Sequence, residues 1–261
     1  MKHYLLPYTP VFLLLAWLLA AQVPARAQQV GPAPTPGIWV TVGSEARLTR
    51  RLGLHADLHW RGAQKASAAP AQNLLRAGLN VYLGRRAMVT AGYAYAHFVL
   101  AGDQSAPASV RGARERRLFQ QFQFGEQTGA LWTRHRYRLE ERWLSAVGKA
   151  PAAYRTRLRY QLRVLVPLRR DHRLTPGTAY LVGANELFFN LGAAPSFFDQ
   201  NRASLLLGWQ LSRTAALEAG LVSQAFSADA FDGGAGTVLQ VGFAFSPDIR
   251  HGNQLRMRNE E

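Results

Sequence analysis

The chain has 261 residues, is 48% hydrophobic and 18% charged, and carries 31 Lys and Arg against 16 Asp and Glu with no cysteine. That apolar and aromatic content excludes a disordered chain. The missing cysteine excludes disulfides, thiolate metal sites, a Cys nucleophile and a lipid-anchored N-terminal cysteine. Past residue 25 no stretch reaches the ~18 apolar residues of a membrane-spanning helix.

At the N-terminus, Lys2 and His3 precede an apolar run from Val11 to Ala20, and Ala25, Arg26 and Ala27 follow with small residues at cleavage spacing. This layout predicts a secretory signal peptide over 1–27, then a short linker over 28–37. The apolar run is too short to serve comfortably as a membrane anchor. Export argues against the nucleic-acid partner that a net charge of +15 would otherwise invite. So does the placement of the charge, which is nearly all Arg and spread along the chain (the lysines are Lys2, Lys65 and Lys149).

From residue 38 onward the chain alternates. In 52–60 the even positions are Leu52, Leu54, Ala56, Leu58 and Trp60, and the odd ones carry Gly53, His55, Asp57 and His59. In 131–143 the odd positions are mainly apolar and the even ones hold Trp132, Arg134, Arg136, Arg138, Glu140 and Arg142. In 154–166 the apolar set is even, opposite Arg155, Arg157, Arg159, Gln161 and Arg163. In 201–211, Ala203, Leu205, Leu207, Trp209 and Leu211 oppose Arg202, Ser204 and Gln210. A period of two over ten residues is a strand with one apolar and one polar face. Eleven such segments are expected, near 38–48, 52–62, 72–84, 87–100, 114–125, 130–144, 154–167, 177–190, 200–211, 214–226 and 236–246. Soluble strands average about five to six residues, whereas tilted membrane-crossing strands need ~9–11.

Length, Arg-dense polar faces and aromatics near the strand ends together predict an all-β, antiparallel up-and-down transmembrane barrel of about 10–12 strands over 38–246, with a short tail over 247–261. The girdle aromatics expected are Trp60, Tyr82, Tyr93, Trp132, Trp143, Tyr154, Tyr180, Trp209 and Phe226. Gln240 to Phe245 is similar to the C-terminal assembly signal of outer-membrane barrels, so lipid and the barrel assembly machinery are the expected partners. Bacterial barrels use even strand numbers, short periplasmic turns and long outer loops. Ten wall strands over 52–246 are therefore expected, with short connections after the odd segments and with 38–48 as an extra strand, partly paired or paired with a further strand that would make twelve.

Across the chain the pattern resembles the domain-of-unknown-function 2490 family of bacterial outer-membrane β-barrels, typical of the Bacteroidetes. Its carriers are Trp39, Leu75 to Asn80, Thr90 to Tyr93, Glu115, Arg117 and Gln121, then His135 to Trp143. Tyr154 to Tyr160, Glu186, Phe188, Asn190, Phe198 to Arg202, Glu218 to Gly220 and Gln224 complete the order. The resemblance implies a fold and an outer-membrane location, and no activity.

The chemistry to expect lies in the interior. Glu115, Arg134, Arg136, Arg138, Glu140, Arg142, Arg155, Arg157, Arg159, Arg163, Glu186, Arg202 and Glu218 would line one lumen. Arg pairs with carboxylates in a planar, bidentate fashion, so these residues suit a filled network replacing a hydrophobic core. The alternative is a narrow passage or pocket for a small anionic solute. The carboxylates are outnumbered, and the surplus positive charge is expected near Arg136, Arg157 and Arg159. His55, Asp57 and His59 share one strand face and form a weak metal candidate without a fourth ligand. A lipid-acting enzyme would need a nucleophile and base; Ser204 and His135 are present, but no spacing joins them. A surface binding protein would favour longer loops than the longest here, 101–113. No cofactor motif is present.

Overall fold

Alternating sequence becomes eleven strands that close on themselves. The computed structural model describes residues 37–62, 71–99, 113–145, 152–192, 196–227 and 235–249. The strands are β1 (Gly37–Arg47), β2 (Leu52–Arg61), β3 (Ala71–Tyr82), β4 (Ala87–Val99), β5 (Arg114–Thr128) and β6 (Leu131–Ser145). They continue with β7 (Ala153–Pro167), β8 (Ala179–Leu191), β9 (Phe198–Gln210), β10 (Ala215–Phe226) and β11 (Ala235–Phe245). Each bound lies within three residues of the segment expected from the alternation. The expected signal peptide and most of the linker and tail fall outside the described residues.

Sequential strands pair antiparallel from β1 to β11, and β1 then pairs with β11 in parallel, from Gly37 opposite Val238 to Ser44 opposite Phe245. The barrel is therefore mixed and odd-stranded, which corrects the expectation of ten wall strands with β1 as an extra. The reason lies in β1 itself. It carries Trp39 inward and Ile38, Val40 and Val42 outward, as any wall strand does, and both its edges need partners. An odd strand count makes the first and last strands run the same way. The start of the tail also joins the wall: Arg47 N–H donates to Pro247 O at 2.9 Å, and Ile249 N–H to Arg47 O at 3.0 Å.

The two ends of the barrel differ. One holds the short connections 48–51, 83–86, 129–130 and 211–214; the other holds 62–70, 100–113, 146–152, 192–197 and 227–234. The connection 168–178 breaks the expected rule, being long at the short-turn end. It is a built turn. His172 and Gly177 adopt positive φ of 53° and 84°. Asp171 accepts the Arg173 N–H at 3.3 Å and the Arg169 side chain at 3.2 Å. The Arg173 backbone hydrogen bond holds the Asp171 carboxyl below its ordinary range.

The outer face is an apolar surface. Ile38, Val40, Leu54, Leu58, Leu75, Leu79, Leu118, Phe122, Leu205, Leu207, Leu221, Leu239 and Phe243 all point outward and are exposed. Trp60, Trp143, Tyr154 and Trp209 lie outward near strand ends, with Trp143 and Tyr154 rings 5.5 Å apart. Tyr93 is outward but mid-strand. Four expected girdle residues turn inward instead. Tyr180 is buried with its hydroxyl on Glu218, Tyr82 lies beneath the Arg47 guanidinium, and Trp132 and Phe226 share register with inward Leu165 and Gln200. Proximity to a strand end does not set facing; parity does. Outward polar exceptions include Arg116 and Gln120 on β5 and Glu141 on β6.

Two glycines make room for interior rings. A Cβ at Gly208 would meet the Tyr180 ring at 2.1 Å, and one at Gly92 would meet Phe119 at 2.6 Å.

Candidate functional site

Inward positions stack into cross-strand rows because paired residues of neighbouring strands face the same way. One row runs Arg159, Arg138, Gln121, Thr90, Asn80 from β7 to β3, and all five are buried. Arg138 donates twice to the Gln121 carbonyl oxygen, at 2.9 and 2.6 Å, and Thr90 donates to Asn80 at 2.8 Å. Water does not reach Arg138, which is 1% exposed, so the lumen is filled at this level.

The next row towards the loop end holds Arg157 and Glu140, then Phe119 over Gly92. Glu140 accepts Arg157 at 2.7 Å and Arg159 at 2.6 Å, with Arg138 at 3.9 Å. Arg157 also reaches Asp199 at 3.1 Å. Glu186 accepts Arg159 at 2.7 Å and Arg136 at 2.8 Å, with Arg202 at 3.7 Å. One row further, Arg155, Arg142 and Arg117 stand directly across from one another. Such like-charge neighbours repel. Glu115 relieves two of them, accepting Arg117 at 2.7 Å and Arg142. Arg155 sits exposed at the rim. Near the short-turn end Glu218 accepts Arg163 at 2.5 Å and the Tyr180 hydroxyl at 2.8 Å, and Arg134 is half-buried across from Arg163.

Above this floor the loop end holds a cavity of about 150 Å³ lined by Arg61, Arg76, Arg117, Arg142, Arg157, Arg159 and Arg202, with Gln72, Gln200, Leu74, Phe98 and Phe188. Among the described residues no carboxylate lines it. Every lining residue sits on the half of its strand nearest the longer connections. Arg61 is held by the Gln72 carbonyl at 2.8 Å and lies 4.3 Å over the Trp39 ring, which Arg202 also approaches at 4.9 Å. Phe188 underlies Arg159 at 4.6 Å and Arg202 at 5.0 Å. Aromatic faces attract the guanidiniums without neutralising them.

Of the residues where surplus charge is expected, Arg157 and Arg159 line the cavity but are paired. Arg136, Arg157 and Arg159 each contact a carboxylate, whereas the Nε groups of Arg61, Arg117 and Arg202 are buried without a partner. Arg61, Arg76, Arg117, Asp57 and Asp199 are lumen charges beyond those expected, and Trp39 is an interior ring beneath two of the arginines. Parity marks Arg61 and Asp57 as inward, but no local rule says which strands meet around the barrel.

The weak metal candidate, His55, Asp57 and His59, is engaged by a guanidinium. Asp57 does contact His55 at 3.1 Å and His59 at 3.2 Å, but Arg76 Nε spans both its oxygens at 2.8 and 2.9 Å. A terminal Arg76 nitrogen lies 2.6 Å from His59 Nε2. A cation among them would face a guanidinium, and among the described residues no His, Asp or Glu group is arranged to hold a metal. Ser204 and His135 are equally separated. Ser204 pairs with inward Ala184 and Val222, while His135 lies outward, stacked on Phe124 at 4.7 Å and 3.0 Å from the Tyr160 hydroxyl.

Compared with known families, residues 36–234 match a family model described as protein of unknown function (DUF2490). No curated protein and no solved structure matches the chain.

Proposed function

The chain belongs to the DUF2490 family, and from that premise we propose that it is an integral outer-membrane β-barrel whose interior is filled rather than open. The outward face carries the reading. Soluble monomers rarely expose contiguous apolar patches above a few hundred Å², yet here exposed Leu, Val, Phe, Trp and Tyr side chains occupy the outer positions of strand after strand. A closed barrel leaves no backbone edge unsatisfied in lipid. Arg116 and Glu141 lie a few residues from the loop end, where a long charged side chain reaches headgroups. Export by the N-terminal apolar segment and assembly through the β11 signal belong to the same reading. By the loop-length rule the short connections face the periplasm and the arginine-lined cavity faces outward.

Fractionation tests the location. The protein should stay with outer membranes through a urea wash and migrate faster unboiled than boiled; recovery as a soluble periplasmic protein overturns the reading. A narrow anion-preferring conduit is the second reading, favoured by the arginine excess. Planar-bilayer recording separates the two: the buried Arg138 row predicts no steady conductance, and anion-selective current in a salt gradient would favour the conduit.

A further inference from the structure

We propose that the cavity at the loop end is a binding site for a doubly charged phosphate group, free or at the head of a larger molecule. The charge count comes first. Nine arginines in and beneath the cavity (its seven lining residues with Arg136 and Arg138) share Asp57, Glu115, Glu140, Glu186 and Asp199. Among the described residues, nine guanidiniums against five carboxylates leave four positive charges over. They are not left over evenly. Arg76, Arg142 and Arg157 are held by carboxylates, whereas Arg61 is held by the neutral carbonyl of Gln72.

The second observation is the set of buried Nε groups without partners on Arg61, Arg117 and Arg202, all residues that line this one cavity. Arg117 is only 5% exposed. With almost no accessible surface of their own, these Nε groups are not donors to the cavity; they mark three lining guanidiniums that no protein acceptor fully satisfies. The aromatic platform explains how the excess is held in place: Trp39 under Arg61 and Arg202 keeps two cations close together.

Size and shape select the ligand. At ~30 Å³ per water, 150 Å³ holds about five waters, enough for a tetrahedral oxyanion that keeps some hydration. Drug-sized ligands need ~300–1,000 Å³, so a sugar or a whole lipid headgroup does not fit inside. Arginine forks suit phosphate oxygens, and a dianion offsets more of the excess than chloride does. That the cavity opens on the outer side of the membrane depends on the membrane reading; the binding itself does not.

The experiment is calorimetric titration of the folded, detergent-solubilised full-length protein with inorganic phosphate, with chloride as the competitor at equal ionic strength. In a second arm lysophosphatidic acid in mixed micelles presents the same group on a lipid. Folding is checked beforehand by heat-modifiable migration, so each arm reports on binding alone. Saturable binding of phosphate that chloride does not reproduce is the expected result. Binding confined to the micelle arm would also support the site and assign its source to a headgroup. Arg61→Gln with Arg202→Gln should weaken binding by about tenfold or more, and Arg163→Gln at the other end should leave it unchanged. Arg61→Lys, which keeps charge and loses the fork, should fall between. No saturable heat in either arm for the wild type, or equal loss in Arg163→Gln, overturns the proposal. A barrel that binds phosphate yet fractionates as soluble would overturn the membrane reading alone.

Discussion

Arg159 on β7 donates to Glu140 on β6 at 2.6 Å, and it reaches Glu186 on β8 with two further nitrogens at 3.0 and 2.7 Å. One guanidinium thereby ties three neighbouring strands together on the lumen side. The arrangement fills part of the interior, beside smaller apolar clusters, in a molecule many of whose large apolar side chains face outward. Such a network resists deletion, since removing one partner leaves a buried charge without compensation.

Glu140 should therefore matter more than Glu218. Glu140→Gln removes the acceptor of Arg157 and Arg159 and should cost about 3 kcal/mol in urea unfolding of the detergent-refolded barrel. Glu218→Gln at the wetter end should cost roughly 1 kcal/mol. Equal losses would mean that the network is not more tightly coupled at its centre.

Gly208 and Tyr180 form a steric pair. Gly208→Ala should destabilise by about 1–3 kcal/mol by displacing the ring that donates to Glu218. In a Tyr180→Ala background the same change should cost less than ~0.5 kcal/mol, because the clash is gone. Additive losses in the double variant would contradict the contact.

The strands were legible because a period of two survives in each segment, and Leu52 to Arg61 or Ala153 to Pro167 declare both faces without reference to the rest. Closure was not legible. Whether Trp39 and Val40 belong to a wall strand depends on a partner some two hundred residues away, opposite Gln240 and Val241, and the even-number rule pointed elsewhere. The same limit hid the cavity. Arg61, Arg117 and Arg202 come from β2, β5 and β9, and only the curvature of the whole sheet brings them to one space. Asp57 misled for a related reason: its histidine neighbours are local, while its guanidinium comes from the adjacent strand.

The parallel seam can be trapped directly. The chain has no cysteine, so Val40→Cys with Val241→Cys is a background-free pair at matched register on the outer face. Adjacent-strand spacing of about 4.8 Å is within disulfide reach. Mild oxidation should cross-link this pair and leave Val40→Cys with Phe245→Cys open. The reverse pattern, or no cross-link in a folded barrel, would contradict odd closure.

The membrane reading is tested most directly by site-directed spin labelling of β9 in bilayers, one cysteine at a time at Leu205, Leu206, Leu207 and, as a turn reference, Arg213. Outward Leu205 and Leu207 should collide freely with dissolved oxygen and scarcely with a water-soluble nickel chelate, while buried Leu206 should meet neither. Nickel should reach Arg213. Nickel collisions at Leu205 and Leu207 as frequent as at Arg213 would place this face in water and contradict a lipid-embedded barrel.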